Sequence, residues 1–344
     1  MLSVLGRARM ALASLANGEL NAMKFQARTM LRRTALLTAM CFAVQTQAAK
    51  LVAEAGENVS AGSNDVRVLS GTMAGNIDGS SGDVFLDDGA VSRAIDVSSG
   101  SVFLGKNAQA ADIETSSGDI TLDLGARAGN LGASSGQIKL ADKVQTGGLD
   151  TSSGGVHGGN GVRVEGAIDT SSGSVRFGAE AQISGGIDTS SGSVEVGQGS
   201  AVGGAIDTSS GSVRLDGVKV AGKVDTSSGD VRLRGAQVGE DIDTGSGNIS
   251  IQDSTVEGSL WTTSGNVEMR GNVLVRGGLT VRESKCWGWC SGQRDPKIVI
   301  HAGARVLGPL VFEREVELWV HEQAQIGSVQ GATVKRFNAE KAGA

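Results

Sequence analysis

Carboxylates recur along the chain at a spacing of 18 or 19 residues, as at Asp150, Asp169, Asp188, Asp207 and Asp225. Carboxylate oxygens are the ligands that Ca²⁺ prefers, so one interpretation of this row is a calcium-binding ladder. Calcium usually needs several converging ligands, however, and the glycine-rich nonapeptide of calcium-binding β-rolls is absent. We favour the alternative that each Asp accepts backbone hydrogen bonds from the Thr-Ser-Ser-Gly sequence after it. The sequence therefore predicts no cofactor and no resident metal.

A second group with possible chemistry lies at residues 286–290, where Cys286 and Cys290 flank Trp287 and Trp289. If the chain is exported, these cysteines predict a disulfide that closes a small ring. The favoured interpretation of the tryptophans is a stapled hairpin folded against the body of the protein. The other is an exposed aromatic contact for a glycan or a protein, which makes this loop the best candidate binding site in the sequence.

Groups suited to acid-base catalysis do not cluster in the sequence. The three histidines, His157, His301 and His321, are far apart, and the carboxylates are periodic rather than convergent. A catalytic site normally interrupts a repeat, because it needs different groups aimed at one reacting atom. We therefore predict that the protein is not an enzyme.

These residues belong to a repeat, which is clearest in the segment 168–177, Ile-Asp-Thr-Ser-Ser-Gly-Ser-Val-Arg-Phe. Within one period, apolar residues form three pairs spaced by two, as at Ile168/Thr170, Val175/Phe177 and Ala181/Ile183. A spacing of two places both members of a pair on one side of a strand. Gly, Ser and Asp fill the intervening bends.

Three strands this short cannot bury their apolar side alone, so successive periods must stack in parallel. The sequence therefore predicts an all-β fold: a single parallel β-helix, or β-solenoid, of roughly triangular section, with about 14 coils of 18–19 residues. Its interior should contain Ile, Val, Leu and Ala, with Thr at one corner. The absence of Tyr and the 53 glycines agree with a narrow core and many bends.

The predicted domain boundaries follow from this repeat. Residues 49–76 form an N-terminal cap with one irregular coil, and 77–281 form the regular solenoid. Residues 282–296 are the Cys/Trp insertion, 297–334 return to solenoid coils and a cap, and 335–344 are a tail.

Residues 1–48 are expected to lie outside the fold, as a signal peptide behind an over-extended N-terminus. Basic residues precede an apolar run at 34–44, which is followed by the small-x-Ala pattern of a cleavage site at Ala48. The run is too short for a membrane anchor. We therefore expect export to the periplasm or outer cell envelope, or secretion, with no transmembrane span in the mature chain. The net charge of −6 and the lack of a basic cluster argue against a nucleic-acid partner.

The units Ile-Asp-Thr-Ser-Ser-Gly-Ser-Val at 187–194 and 206–213 resemble those of bacterial envelope β-strand-repeat proteins classed as adhesins. The resemblance covers about residues 59–281 and implies a solenoid with an envelope role. The segment 302–309 is similar to coils of bactofilins, which are polymer-forming β-helices.

Taken together, these features predict a non-enzymatic, exported envelope β-solenoid that acts as a scaffold, adhesin-like or self-associating structural protein. Its partner would be an envelope glycan or protein, or a second copy. One alternative is a polysaccharide lyase or hydrolase, since parallel β-helices often carry such sites. A further alternative is a calcium- or glycan-binding module.

Overall fold

The computed structural model describes residues 51–53, 55–283 and 294–338. Within these ranges the chain contains β-strands and bends but no helix, and all strand pairs are parallel. Each period supplies strands to three sheets, which we number 1 to 3 by their order within a period. The predicted all-β parallel solenoid is confirmed. The 15 described strands of sheet 1 correspond to about 15 turns, close to the 14 expected.

The strand bounds repeat with the period of the sequence. The described strands of sheet 1 are Val59–Gly62, Ile77–Gly79, Ile95–Val97, Ile113–Thr115, Leu131–Ala133, Leu149–Thr151, Ile168–Thr170, Ile187–Thr189, Ile206–Thr208, Val224–Thr226, Ile242–Thr244, Leu260–Thr262, Leu279–Val281, Leu310–Phe312 and Val329–Gln330. The described strands of sheet 2 are Leu51–Val52, Val66–Val68, Val84–Leu86, Val102–Leu104, Ile120–Leu122, Ile138–Leu140, Val156–Gly158, Val175–Phe177, Val194–Val196, Val213–Asp216, Val231–Arg234, Ile249–Gln252, Val267–Arg270, Lys297–Ile300, Glu317–His321 and Val334–Phe337. The described strands of sheet 3 are Gln145–Thr146, Arg163–Val164, Gln182–Ile183, Ala201–Val202, Lys219–Val220, Gln237–Val238, Thr255–Val256, Leu274–Val275, Arg305–Val306 and Gln325–Ile326. Isolated parallel bridges from Met73 to Gln145 continue sheet 3 toward the N-terminus.

The core is a column of apolar side chains that the three sheets enclose. In the strand Ile168–Thr170 the first and last residues are buried and Asp169, between them, is exposed. The same alternation recurs in most strands of sheets 1 and 2. The predicted inward positions are confirmed, including Thr170. Because the strands are only two to five residues long in the described chain, each coil depends on the coils above and below for its burial.

The bend between sheets 1 and 2 brings the backbones of successive coils very close together. A Cβ atom on Gly173 would lie 1.8 Å from the carbonyl oxygen of Gly154, one coil earlier, so no larger residue fits. Between the 19-residue coil that begins at Ile168 and the 18-residue coil that begins at Ile206, the difference in length falls elsewhere, between sheets 2 and 3. Three residues separate buried Phe177 from buried Ala181 in the longer form, and two separate Leu215 from Val218 in the shorter one.

The two ends of the repeat differ from the regular coils. The predicted irregular coil contains a shift of register between Ser60 and Gly62, where Val59–Gly62 pairs with Ile77–Gly79. At the other end, the strand Val334–Phe337 continues the solenoid three residues beyond the boundary predicted at 334. The predicted signal peptide at 1–48 lies outside the described residues. In the described ranges there is no helix long and apolar enough to cross a membrane.

The insertion near the C-terminus occupies a defined position in the coil. It separates the sheet 1 strand Leu279–Val281 from the sheet 2 strand Lys297–Ile300, where other coils have the Ser-Ser-Gly bend. Val267 still pairs with Ile298, so the column continues in register across the insertion. Cys286, Cys290, Trp287 and Trp289 lie outside the described residues, and their disulfide and binding roles stay predictions.

Candidate functional surfaces

The outer face of sheet 1 carries the row of carboxylates. Asp150, Asp169, Asp188, Asp207 and Asp225 are Cα partners of one another in successive coils. Since neighbouring parallel strands lie about 4.8 Å apart, the row places like charges side by side along the sheet. Asp169 is exposed, but partial desolvation of its carboxylate raises its pKa, and repulsion from Asp188 and Asp150 raises it further.

The prediction that these aspartates accept hydrogen bonds from their own bends is wrong. Within the described ranges, no backbone N–H donates to Asp150, Asp169 or Asp188. The buried Thr170 hydroxyl takes this role instead, accepting a hydrogen bond from the Gly173 N–H at 3.0 Å. The reason is parity, because Thr170 points into the corner that contains the glycine, whereas Asp169 points outward.

Farther along the row the carboxylates have basic partners. Lys223 Nζ lies 2.9 Å from Asp207 Oδ1 and 3.0 Å from Asp225 Oδ2, bridging two coils. These two hydrogen bonds raise the pKa of Lys223 well above its usual value. Arg282 Nη1 lies 2.9 Å from Asp243 Oδ2, and its guanidinium stacks over Trp261, 4.5 Å from the ring centroid. Among the described residues, the part of the row that precedes Asp207 is therefore the acidic surface without basic partners.

Gly132 interrupts the row and leaves a groove of about 550 Å³ that Glu114 and Asp150 line. In the part of the chain that the structure describes, no three His, Cys, Asp or Glu side chains are grouped so that they could hold one metal ion. One carboxylate per coil supplies too few ligands for a calcium ion by itself. The calcium ladder was the less favoured interpretation of the row, and titration calorimetry with Ca²⁺ can test it.

The outer face of sheet 2 is more varied. Near the N-terminal end Phe85 and Phe103 stack, with ring centroids 5.1 Å apart and planes 6° apart. Lys139 and His157 follow in the same column, and in the next coils Arg176 pairs with Glu195 at 3.4 Å. The phenylalanines, the lysine and the histidine line a single groove of about 1000 Å³.

The C-terminal part of sheet 2 brings together two histidines that are remote from His157. Phe337 makes edge-to-face contacts with both His301 and His321, at centroid distances of 5.9 and 5.2 Å. His301 Nε2 also lies 3.1 Å from Glu268 Oε1, which accepts a hydrogen bond from Arg270 at 2.6 Å. Burial opposes ionisation of Glu268, but the bonds from Arg270 and His301 outweigh burial and lower its pKa. The ring contacts therefore hold the strand Val334–Phe337 against the preceding coils, and the hydrogen bonds favour the ionised form of Glu268.

Sequence reasoning missed a set of Asp and Asn side chains that join one coil to the next. Asp119 Oδ1 accepts the Gln137 N–H at 2.9 Å, and Asp230 Oδ1 accepts the Asn248 N–H at 2.9 Å, each 18 residues away. Backbone N–H groups of the next coil also donate to the side-chain oxygens of Asp83, Asp88, Asp112, Asn130, Asp142, Asn160, Asp241 and Asp253. The sequence does contain a signal for these hydrogen bonds, which is an Asp or Asn in a bend, one period before the residue whose N–H it accepts.

The parallel coils, the buried threonine corner and the cross-coil hydrogen bonds define a β-helix repeat protein. Residues 130–237 and 167–272 match the family model described as Toastrack DUF4097. The two matches overlap within the regular coils and together cover less than half of the chain, so they support the repeat class. These matches show neither an adhesin role nor a similarity to bactofilins. No curated protein and no solved structure matches the chain significantly.

Proposed function

We propose that the chain is an exported, non-enzymatic scaffold protein of the cell envelope. The observation that carries this proposal is the repetition of one residue type per coil along an outer face, seen in the carboxylate row of sheet 1. Such a surface offers equivalent contacts along its length, as a scaffold requires, rather than several groups aimed at one reacting atom. The signal-peptide pattern at 1–48 supports export.

Charge complementarity supports association between copies of the chain. Within the described residues, Asp150, Asp169 and Asp188 on sheet 1 have no basic partner, and Arg214 and Arg234 on sheet 2 have no acidic partner. The aspartates repeat with the coil, and the two arginines lie in adjacent coils of sheet 2, so a sheet 1 face can lie against the sheet 2 face of a second copy with opposite charges facing each other. Such a contact joins different faces and leaves one of each free, so it can propagate.

The test follows a tagged full-length chain by fractionation and electron microscopy. We expect a product processed near Ala48 in the periplasm or outer envelope, and lateral assemblies that dissociate as salt is raised, because screening weakens exposed charge pairs. A variant lacking residues 1–48 is the control and should stay in the cytoplasm. An unprocessed cytoplasmic product would contradict export, and isolated particles at low salt would contradict self-association.

A separate assay tests the absence of catalysis. The purified protein is incubated with pectin-like and uronic-acid polymers, and we expect no release of unsaturated or reducing sugars. Release that persists after repurification would contradict the non-enzymatic proposal and support the polysaccharide-lyase alternative.

A further inference from the structure

The groove on the outer face of sheet 2 extends from the coil of Arg67 to that of His157 and has a volume of about 1000 Å³. One side consists of the outward residues of five successive strands, which are Phe85, Phe103, Thr121, Lys139 and His157. The position two residues after each of these holds glycine or alanine in three of the five coils, at Gly105, Ala141 and Gly159. Small residues there leave an open channel that runs along the coils.

The two basic groups of this groove, Arg67 and Lys139, are already paired with carboxylates. Arg67 Nε lies 2.8 Å from Asp87 Oδ1, and Lys139 Nζ lies 2.8 Å from Asp119 Oδ2. The Lys139 hydrogen bond is the main reason that the pKa of Asp119 is lowered. Asp88 and Asp123 also line the groove and have no basic partner among the described residues. A polyanion would have to compete for Arg67 and Lys139 and would be repelled by these two carboxylates, so the groove disfavours a polyanion.

The groove also contains aromatic groups and neutral polar groups. The stacked Phe85 and Phe103 form an apolar strip, and the hydroxyl of Thr121 lies in the next coil. Burial lowers the pKa of His157, as do the charges of Arg176 and Lys139, and all three favour the neutral ring. Its Nδ1 atom is buried and has no hydrogen-bond partner within the described structure.

We propose that this groove binds an extended, neutral oligosaccharide, with the sugar chain running along the coils. Pyranose rings present C–H groups that pack against aromatic side chains, and hydroxyls that pair with neutral polar groups. Each coil presents one outward side chain to the groove, at intervals of about 4.8 Å, which is close to the length of one sugar unit in an extended chain. This inference deepens the envelope proposal by giving the scaffold a ligand class.

The experiment is titration calorimetry of the purified protein with cellohexaose, chitohexaose and maltohexaose, and with hexagalacturonate as the charged comparison. We expect at least one neutral hexasaccharide to bind more tightly than hexagalacturonate. The double variant Phe85→Ala/Phe103→Ala should weaken that binding at least tenfold. Trp319→Ala, which removes an aromatic residue from the same sheet outside the groove, should leave it unchanged.

A second variant separates a blocked groove from a damaged fold. Ala141→Arg fills the channel and retains both phenylalanines, so it should also weaken binding at least tenfold while circular dichroism stays that of the parent. Asp216→Arg, at the equivalent position four coils farther on, is its matched control. Absence of binding by all three neutral hexasaccharides, tighter binding of hexagalacturonate, or unchanged binding by a folded Ala141→Arg variant would overturn the inference. Calorimetry does not depend on localisation, so a failure here would leave the envelope scaffold intact, and cytoplasmic retention would leave the binding result intact.

Discussion

At the scale of single residues, the buried threonines decide whether the tightest corner of the coil can form. Thr208 accepts the Gly211 N–H at 3.0 Å, and its hydroxyl donates to the Gly192 carbonyl of the previous coil at 3.3 Å. The residue is almost completely buried, so water cannot replace either bond. One hydroxyl therefore satisfies a bend and links two coils.

Replacing this hydroxyl should be costly although the side-chain shape is kept. Thr208→Val leaves the Gly211 N–H without a partner, and we expect a loss of about 1–3 kcal/mol in the free energy of unfolding. Thr208→Ser retains the hydroxyl and is the matched control, with a smaller loss from the missing methyl group. Denaturant titration followed by circular dichroism measures both, and equal losses would contradict a hydrogen-bonding role.

The carboxylate row lowers the free energy of unfolding, whereas the threonine hydroxyls raise it, and the contribution of the row depends on pH. The pKa of Asp169 is raised in the fold, so folding disfavours its ionised form. The resulting destabilisation is absent below the usual pKa of 3.8 and develops as the pH rises through the higher pKa of the folded state. Because Asp169 is solvent-exposed, screening limits the effect to a few tenths of a kcal/mol.

Asp169→Asn should therefore raise the free energy of unfolding at pH 7 by about 0.3 kcal/mol and have no effect at pH 3. The gain should shrink in high salt. Asp243→Asn is the comparison, because it removes a carboxylate paired with Arg282 and should bring no gain at pH 7. Denaturant midpoints at both pH values provide the measurement, and stabilisation at pH 3 would show that the charge of Asp169 is not the cause.

At the scale of the elements, the bends set the distance between coils. Gly211 stands in the corner between sheets 1 and 2, where an added Cβ would lie 1.8 Å from the Gly192 carbonyl oxygen. Gly132 lies in the middle of a sheet 1 strand, where the nearest atom to an added Cβ is 3.6 Å away, on the side chain of Glu114. Two glycines of the same repeat therefore have different roles.

Gly211→Ala should lower the free energy of unfolding by more than about 4 kcal/mol, or prevent folding, because backbone atoms of two coils would have to separate. Gly132→Ala, in the same purified full-length protein, should change it by no more than about 0.5 kcal/mol. Thermal melts compare the two variants. A stable Gly211→Ala protein would show that the coils can separate at this corner.

At the scale of the whole described solenoid, each coil contacts its neighbours through the same pairs, so coils are interchangeable units. Ile168 pairs with Ile187, and Ile187 pairs with Ile206, in identical register. Nearest-neighbour stability of this kind predicts tolerance to the loss of a complete coil and intolerance to the loss of a fraction.

Deleting residues 187–205 removes one coil and joins Gly186 to Ile206, which can then pair with Ile168. We expect a folded protein whose melting temperature falls by only a few degrees. Deleting residues 187–196 removes about half a coil, so the following strands meet the wrong sheets. That variant should lose its cooperative melt, and equal melting of the two deletions would contradict the nearest-neighbour description.

The period, the inward residues and the parallel stacking were predictable from the sequence alone. Ile168, Thr170 and Val175 recur at spacings that fix both their parity and their coil neighbours, because one period of sequence equals one turn. Even the position of the insertion at one corner could be expected, since the apolar pairs resume in phase at Ile298 and Ile300.

Only the tertiary structure decided which polar groups pair with one another. The sequence placed Asp169 and Thr170 in adjacent positions, but the three-dimensional corner determined that the threonine, and not the aspartate, receives the bend N–H. The stack of Phe85 on Phe103 and the enclosure of Phe337 by two histidines likewise depend on side-chain directions. The physical reason is that apolar burial follows a simple period, whereas hydrogen bonds and ring contacts depend on distances and angles that no period specifies.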